Sequence, residues 1–239
     1  MENKLPFLLL YISFTLIPSL HLAQGNDAPK VEIISPSENV TLEGNSIVPY
    51  SIVISDKEDG NSEYDEINEN EVILTVTYLP DASKAEKYVE EEIGPRSAKL
   101  SLIAASNCFT CHLAKDKLIG PSFEDIVREY DPISESRAYL IQKISQGSSG
   151  IWSDEIMPGQ PELEKEKIAQ MLEWIFTNAQ DPNYTFYSGT EGAFKTRKRQ
   201  NNKGDKDVYV LHALYADHGI NESFERSKKG THTVMLNFK

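Results

Sequence analysis

Apolar residues fall along the chain in four kinds of pattern. The first is a largely apolar run from Leu5 to Ala23, containing Pro6 and Pro18, preceded by Lys4 and ending at the small residues around Ala23-Gln24-Gly25. This is the pattern of a signal peptide over residues 1–25. The run is near the length that spans a bilayer, so an uncleaved anchor is the other reading. The second pattern is β-branched and short. Lys30-Val31-Glu32-Ile33-Ile34, Ile47 to Ser55 and Glu71 to Tyr78 read as strands separated by turn clusters. The third has a helical period. Leu100, Ile103 and Ala104 make one face; Phe123, Ile126, Val127 and Tyr130 another; Tyr139, Leu140, Lys143 and Ile144 a third. The longest helix is expected from about Pro161 to Thr177, with Ile168, Met171, Leu172, Ile175 and Phe176 inward. The fourth returns to strand, over 207–216 and 231–238.

The order is therefore β, α, β, with pieces at 26–94, 95–180 and 181–239. A length of 239 residues suits one large domain or two small ones. With 39% hydrophobic and 26% charged residues, the composition is that of a globular protein. A net charge of −13 argues against general nucleic-acid binding, which needs clustered Lys and Arg. The charge is uneven: −13 on residues 26–94, −3 on 95–180 and +3 on 181–239. Residues 56–71 hold eight acids and one Lys. Asp56, Glu58 and Asp59 offer oxygens to calcium, and a solvated acidic loop is the alternative. The six bases of 195–206 read either as a docking patch for an acidic partner or as a polar hairpin tip.

The only two cysteines stand in Cys108-Phe109-Thr110-Cys111-His112. This is the attachment sequence of a c-type haem. Two thiols add across the vinyl groups of one porphyrin, and the adjacent histidine lies under the iron as a neutral imidazole ligand. A redox or zinc CxxC is the alternative, and the absence of a second CxxC disfavours zinc. Candidates for the sixth ligand are Met157, Met171, Met235, His212, His218 and His232. Met171 sits on an apolar helix face, where a core role is the default. Met235 and the histidines fall among the late strands, and the histidines show no metal-ligand spacing. Met157 lies in a loop stiffened by Pro158, and a thioether opposite imidazole fills both axial positions and raises the potential.

These residues make segment 97–179 resemble the small class I monohaem cytochromes c of bacteria. The resemblance rests on Cys108-Phe-Thr-Cys111-His112, on Gly120-Pro121 with Phe123, on Gly147-Ser-Ser-Gly150-Ile-Trp152 followed by Met157-Pro158, and on Leu172-Glu-Trp174-Ile175. It implies that His112 and Met157 are axial ligands, that Pro121 runs past the proximal side, and that Trp152 hydrogen-bonds a haem propionate, for which an indole N–H is suited. A buried packing Trp is the alternative for Trp152. Gly159 and Ser153 depart from residues common in relatives, and a looser Met157 loop is expected from both.

The outer pieces resemble the opening and closing strands of a PKD-like, immunoglobulin-type β-sandwich, with Ser55 to Gly60 as its Asp-rich turn. Neither piece alone has enough strands for such a fold. The expected fold class is α+β multidomain, an all-α cytochrome c domain inserted in one sandwich; two small β modules flanking the cytochrome are the rival. The same order resembles the C-terminal part of certain bacterial exported sugar dehydrogenases, without their catalytic part. This implies a periplasmic or cell-surface electron carrier with one covalent haem c and iron, not an enzyme. Its partner is expected to be a redox protein, a dehydrogenase or terminal acceptor. No nucleic acid is expected, and membrane only if the N-terminal segment stays uncleaved. A peroxidase-like haem enzyme and a haem-bearing adhesion or glycan-binding module are the alternatives.

Overall fold

The computed structural model describes residues 25–198, 207–219 and 226–239. The apolar run of 1–24 lies outside the described residues, as do Arg199, Lys203 and Lys206 of the basic stretch.

In chain order the strands are β1 (Lys30–Ser35), β2 (Thr41–Leu42), β3 (Ile47–Asp56), β4 (Gly60–Asn61) and β5 (Ile73–Leu79). Helices follow: α1 (Ala85–Lys87), α2 (Ile93–Ala105), α3 (Phe123–Glu129), α4 (Ser134–Gln146) and α5 (Lys165–Asn178). The chain closes with β6 (Tyr184–Ser188), β7 (Glu191–Lys195), β8 (Asp207–Ala216) and β9 (Lys229–Phe238). One sheet runs β1-β3-β4, with β7 also on β3; the other runs β2-β9-β8-β5-β6. Both sheets thus combine strands from before and after the helices. Ile73 of β5 faces Leu214 of β8 on one side and Ser188 of β6 on the other, and Val48 of β3 faces Phe194 of β7.

β1 and β3 alternate buried and open positions, as a sheet with one wet face must. Their inward Val31, Ile33, Tyr50, Ile52 and Ile54 share one core with Leu74, Val76, Tyr209, Leu211 and Tyr215 of the other sheet. β5 and β8 are instead buried at nearly every position. Their second face is covered by helices: Ile73, Phe186 and Leu214 pack with Leu100, Ile103, Ile168, Met171 and Leu172. The architecture is sheet, sheet, helices, and it is mixed α+β.

Three details differ from the sequence reading. The helical run begins at Ala85 and continues through a π turn at Tyr88–Glu92 into α2, ten residues before the boundary drawn at 95. α5 starts at Lys165, not at Pro161, which sits in a turn ahead of it. β6 and β7 are additional short strands, each paired to an early strand.

Candidate functional site

Two residues past the end of α2, Asn107, with a left-handed φ of 56°, turns the chain into Cys108. The backbone N–H groups of Cys111 and His112 both donate to the Cys108 carbonyl, at 3.2 and 3.0 Å. This tight turn brings both thiols and the imidazole to one wall of an open, largely apolar cleft. Sequence-distant Met157 and Trp152 line the same cleft, with Pro121, Tyr130 and Tyr139.

His112 is fixed from three sides. Its Nδ1 sits 2.7 Å from the Pro121 carbonyl oxygen, which only accepts, so Nδ1 carries the proton and Nε2 keeps a free lone pair. Phe123 stacks on the ring at 5.6 Å and 28°. Phe123 is held there by its helix cap: the Ser122 hydroxyl accepts from the Asp125 N–H at 3.0 Å. Gly120 passes beneath the ring so closely that a Cβ would fall 2.5 Å from His112 Cε1. Burial lowers the imidazole pKa, against the opposing pull of the Pro121 bond, and keeps the ring neutral. Burial also pushes the Cys108 thiol up to about 12, with Cys111 adding to the rise and a backbone hydrogen bond opposing it.

Met157 is held by a two-way backbone bridge to Ser148: Met157 N–H to Ser148 O at 2.8 Å, and Ser148 N–H to Met157 O at 3.0 Å. Two glycines allow this crossing. Gly147, at φ 82°, ends α4 and would place a Cβ 2.7 Å from the Met157 oxygen. Gly159 would place one 2.7 Å from the Gln146 carbonyl carbon. A side chain at 159 therefore meets backbone, and glycine there is what lets the loop close on α4. The loosening expected from Gly159 is not what the geometry gives.

The other ligand candidates separate cleanly. Met171 is 2% exposed in the helix core and also reaches the cleft wall. Met235 packs near Val208 and Val210 on another cluster. His212 hydrogen-bonds Thr233, His232 accepts from the Ile33 N–H, and His218 lies between Asp59 and Glu71. None of these histidines lines the cleft. Trp152 is 37% exposed on the cleft wall, its ring edge-on to Tyr130 at 6.4 Å. The buried tryptophan is Trp174, donating to the Arg96 carbonyl at 2.6 Å.

Sequence reasoning did not assign Tyr130, Tyr139 or Lys143 to the site. Tyr139 and Lys143 stand one helical turn apart on α4, with the ammonium 5.2 Å from the ring, and that spacing was the available signal. The donor set suits an iron porphyrin: two thiols for the vinyl groups, a neutral imidazole with its outer nitrogen free, and a soft thioether in the same apolar cleft.

No protein-family model matches the chain. Among characterised proteins, it is 32% identical over 84 residues to cytochrome c-552 of Nitrosomonas europaea, covering 35% of this chain and 82% of that one. It is 32% identical over 80 residues to cytochrome c-552 of Hydrogenobacter thermophilus, covering 34% and 81%. It is 34% identical over 77 residues to cytochrome c-551 of Azotobacter vinelandii, covering 32% and 93%. The crystal structure of the wild-type Nitrosomonas europaea protein aligns with a TM-score of 0.31, at 32% identity, over 33% of this chain and 96% of that one.

Proposed function

The chain belongs, over about a third of its length, to the class I cytochromes c of the c-551/c-552 type, and from that premise we propose that it is an exported carrier of single electrons with His112 and Met157 as axial ligands. The cofactor is one covalently bound haem c with its iron. When bound, that iron supplies a one-electron couple. The chain's own residues do the rest. Cys108 and Cys111 would hold the ring through thioether links. His112 would present Nε2, with the Pro121 carbonyl fixing its tautomer and raising its basicity. Met157 would present its sulfur from a loop pinned to Ser148. With both axial positions filled by protein, electron transfer is favoured over oxygen or peroxide chemistry. Trp152 would donate to a propionate at the open mouth. The single observation that carries this reading is that Cys108, Cys111, His112 and Met157 line one cleft while Met235, His212, His218 and His232 do not.

A redox protein, either a dehydrogenase or a terminal acceptor, is the partner in this reading. The exposed Ile119, Ile151 and Ile156 at the cleft edge support a small, transient contact. The site of action is the periplasm or cell surface. Among the described residues no helix is long and apolar enough to cross a membrane. We infer as well that the helical segment is inserted in one PKD-like, immunoglobulin-type sandwich. Support comes from the pairing of early β3 and β5 with late β6, β7 and β8 around a common core.

The test is a visible spectrum of protein made with haem-attachment machinery, in both oxidation states. A low-spin spectrum with the weak far-red Met–iron band is expected. Met157→Ala should abolish that band and lower the potential, while Met171→Ala should keep it. A high-spin ferric spectrum that takes up cyanide readily, or loss of the band in Met171→Ala alone, would overturn the assignment.

A further inference from the structure

Three segments far apart in sequence meet at one end of the sheets. β1 pairs with β3 so that Lys30 faces Ser55, and the residues before β1 run beside the turn after β3. Asp27 reaches Lys57 across that gap at 3.6 Å. The end of β8 joins them: the Tyr215 hydroxyl donates to Asp59 Oδ2 at 2.7 Å, and the Asn26 amide donates to both oxygens of Asp217 at 3.0 Å.

The junction is acidic, and several of its oxygens are buried although its rim is exposed. Asp217 is 1% exposed and Asp56 7%. Lys57, between Asp56 and Glu58, is 63% exposed and turns to Asp27 instead. Asp217 and Asp59 are satisfied by hydrogen bonds from Asn26, Gly219, Lys228, Tyr215 and His218. Four other oxygens find no donor among the described residues. Asp56 Oδ1 caps the turn by accepting from the Glu58 and Asp59 N–H groups, which leaves Oδ2 buried without a donor. Both carboxylate oxygens of Glu58 and the Oδ1 of Asn26 are buried and unpartnered as well. The Asn26 amide nitrogen is committed to Asp217 and to the Arg226 carbonyl, so its oxygen is the end left over. Buried carboxylates without a counter-charge are strongly unfavourable, and natural proteins pair them or give them a metal.

We propose that Asn26, Asp56 and Glu58 bind a calcium ion. The donors are all oxygen, which selects a hard cation over zinc or copper. Carboxylates on a turn and an amide from a separate segment make an adaptable shell, which suits Ca²⁺ better than the rigid octahedron of Mg²⁺. Among the described residues no three His, Cys, Asp or Glu side chains already stand as a metal-ligand group. The Asn26 amide, backbone carbonyls and waters therefore complete the shell. Asp217 acts as a positioning residue, aiming Asn26. The bound ion ties the segment before β1 to the turn after β3, beside the end of β8 in the other sheet.

The experiment uses the full haem-loaded chain, stripped with a calcium chelator and titrated with Ca²⁺ in the presence of Mg²⁺. Calorimetry should show one saturable site, and the melting temperature should rise with Ca²⁺. Glu58→Gln and Asp56→Asn should each weaken binding about tenfold or more. Asp65→Asn, in the same acidic run but exposed, should bind as the parent does. Absence of saturable heat and of any melting shift at millimolar Ca²⁺ overturns the proposal, and so does binding that survives in Glu58→Gln. Equal weakening by Asp65→Asn overturns it too, because the ion would then be held by diffuse charge. Asp56 also caps its turn, so Glu58→Gln decides if Asp56→Asn does not fold. The haem spectrum is read in parallel and should not change, which keeps the result separate from the axial-ligand assignment.

Discussion

His112 shows how much of a site rests on residues with no side chain to offer. Its ring is oriented by a backbone carbonyl at position 121 and by the bare Cα of Gly120. Met157 depends in the same way on Gly147 and Gly159. The candidate ligands were legible in the sequence because attachment needs a fixed local spacing, and because Met157 stood in a Pro-stiffened loop. The need for Gly159 was not legible, because its constraint comes from the backbone of Gln146, thirteen positions earlier. A sharp expectation follows for Gly159→Ala. Its Cβ would meet backbone at 2.7 Å, so the loop must shift. Overpacking of this kind costs about 1–3 kcal/mol. Urea denaturation should show that loss, and the far-red band should weaken because the thioether moves with the loop. Gly94→Ala is the counterpart. Nothing lies within 4 Å of a Cβ there, in the first turn of α2, and the change should leave stability equal or raise it by about 0.5–1 kcal/mol. Equal losses in both variants would refute the steric account.

Among elements, α2 and α5 are joined to β6 by Arg96. Its guanidinium donates to Asn178 at 2.8 Å and to Asp181 at 2.5 Å, and it lies 3.6 Å over the Tyr184 ring. The residue that opens the cleft-bearing segment thus grips the residues that close it. This contact was invisible to periodicity, which registers apolar faces and not a single cation bridging two ends. Periodicity also missed β6 and β7, which are short and bracket a Ser-Gly turn, whereas β8 reads plainly as an apolar run because both its faces are covered. Arg96 gives a pH dependence with a definite sign. Burial pushes the Asp181 carboxyl up, but the hydrogen bonds from Arg96 and Asn183 and the charges of Arg96 and Lys115 outweigh it, so its pKa lies below the ordinary 3.8. A depressed carboxylate stabilises the fold above that ordinary value, and the benefit is lost as pH falls through the folded value. Asp181→Asn should cost about 1–2 kcal/mol at neutral pH, the low end for a charged hydrogen bond because the carboxylate is 28% exposed. The gap between variant and parent should close below about pH 4. An unchanged gap at pH 3, measured by urea titration, would show that the charge of Asp181 is not what matters.

At the scale of the molecule, the question is whether the strands before and after the helices are one folding unit. The order of segments was legible from the change of period, but strand pairing was not, because no local pattern says which distant strand a given strand will meet. β5 sits between β8 and β6, and neither neighbour precedes the helices. Its Leu74 and Val76 share a core with Tyr50, Leu211 and Tyr215. Strands β1 to β5 alone would lack both hydrogen-bonding neighbours of β5 and the partner of β3 at Phe194. A few strands without these partners are marginal in water. The connection between β5 and α1 is the place to test this, because Pro80, Ser83 and Lys84 are exposed and carry no sheet pairing. A specific protease site inserted after Ser83 should be cut without releasing the N-terminal piece. The two fragments should co-elute on size exclusion in native buffer and separate only in denaturant. The haem spectrum should survive the cut, because every residue assigned to the cleft lies beyond it. Separation in native buffer would mean that the outer pieces are independent modules, and the single interrupted sandwich would have to be abandoned.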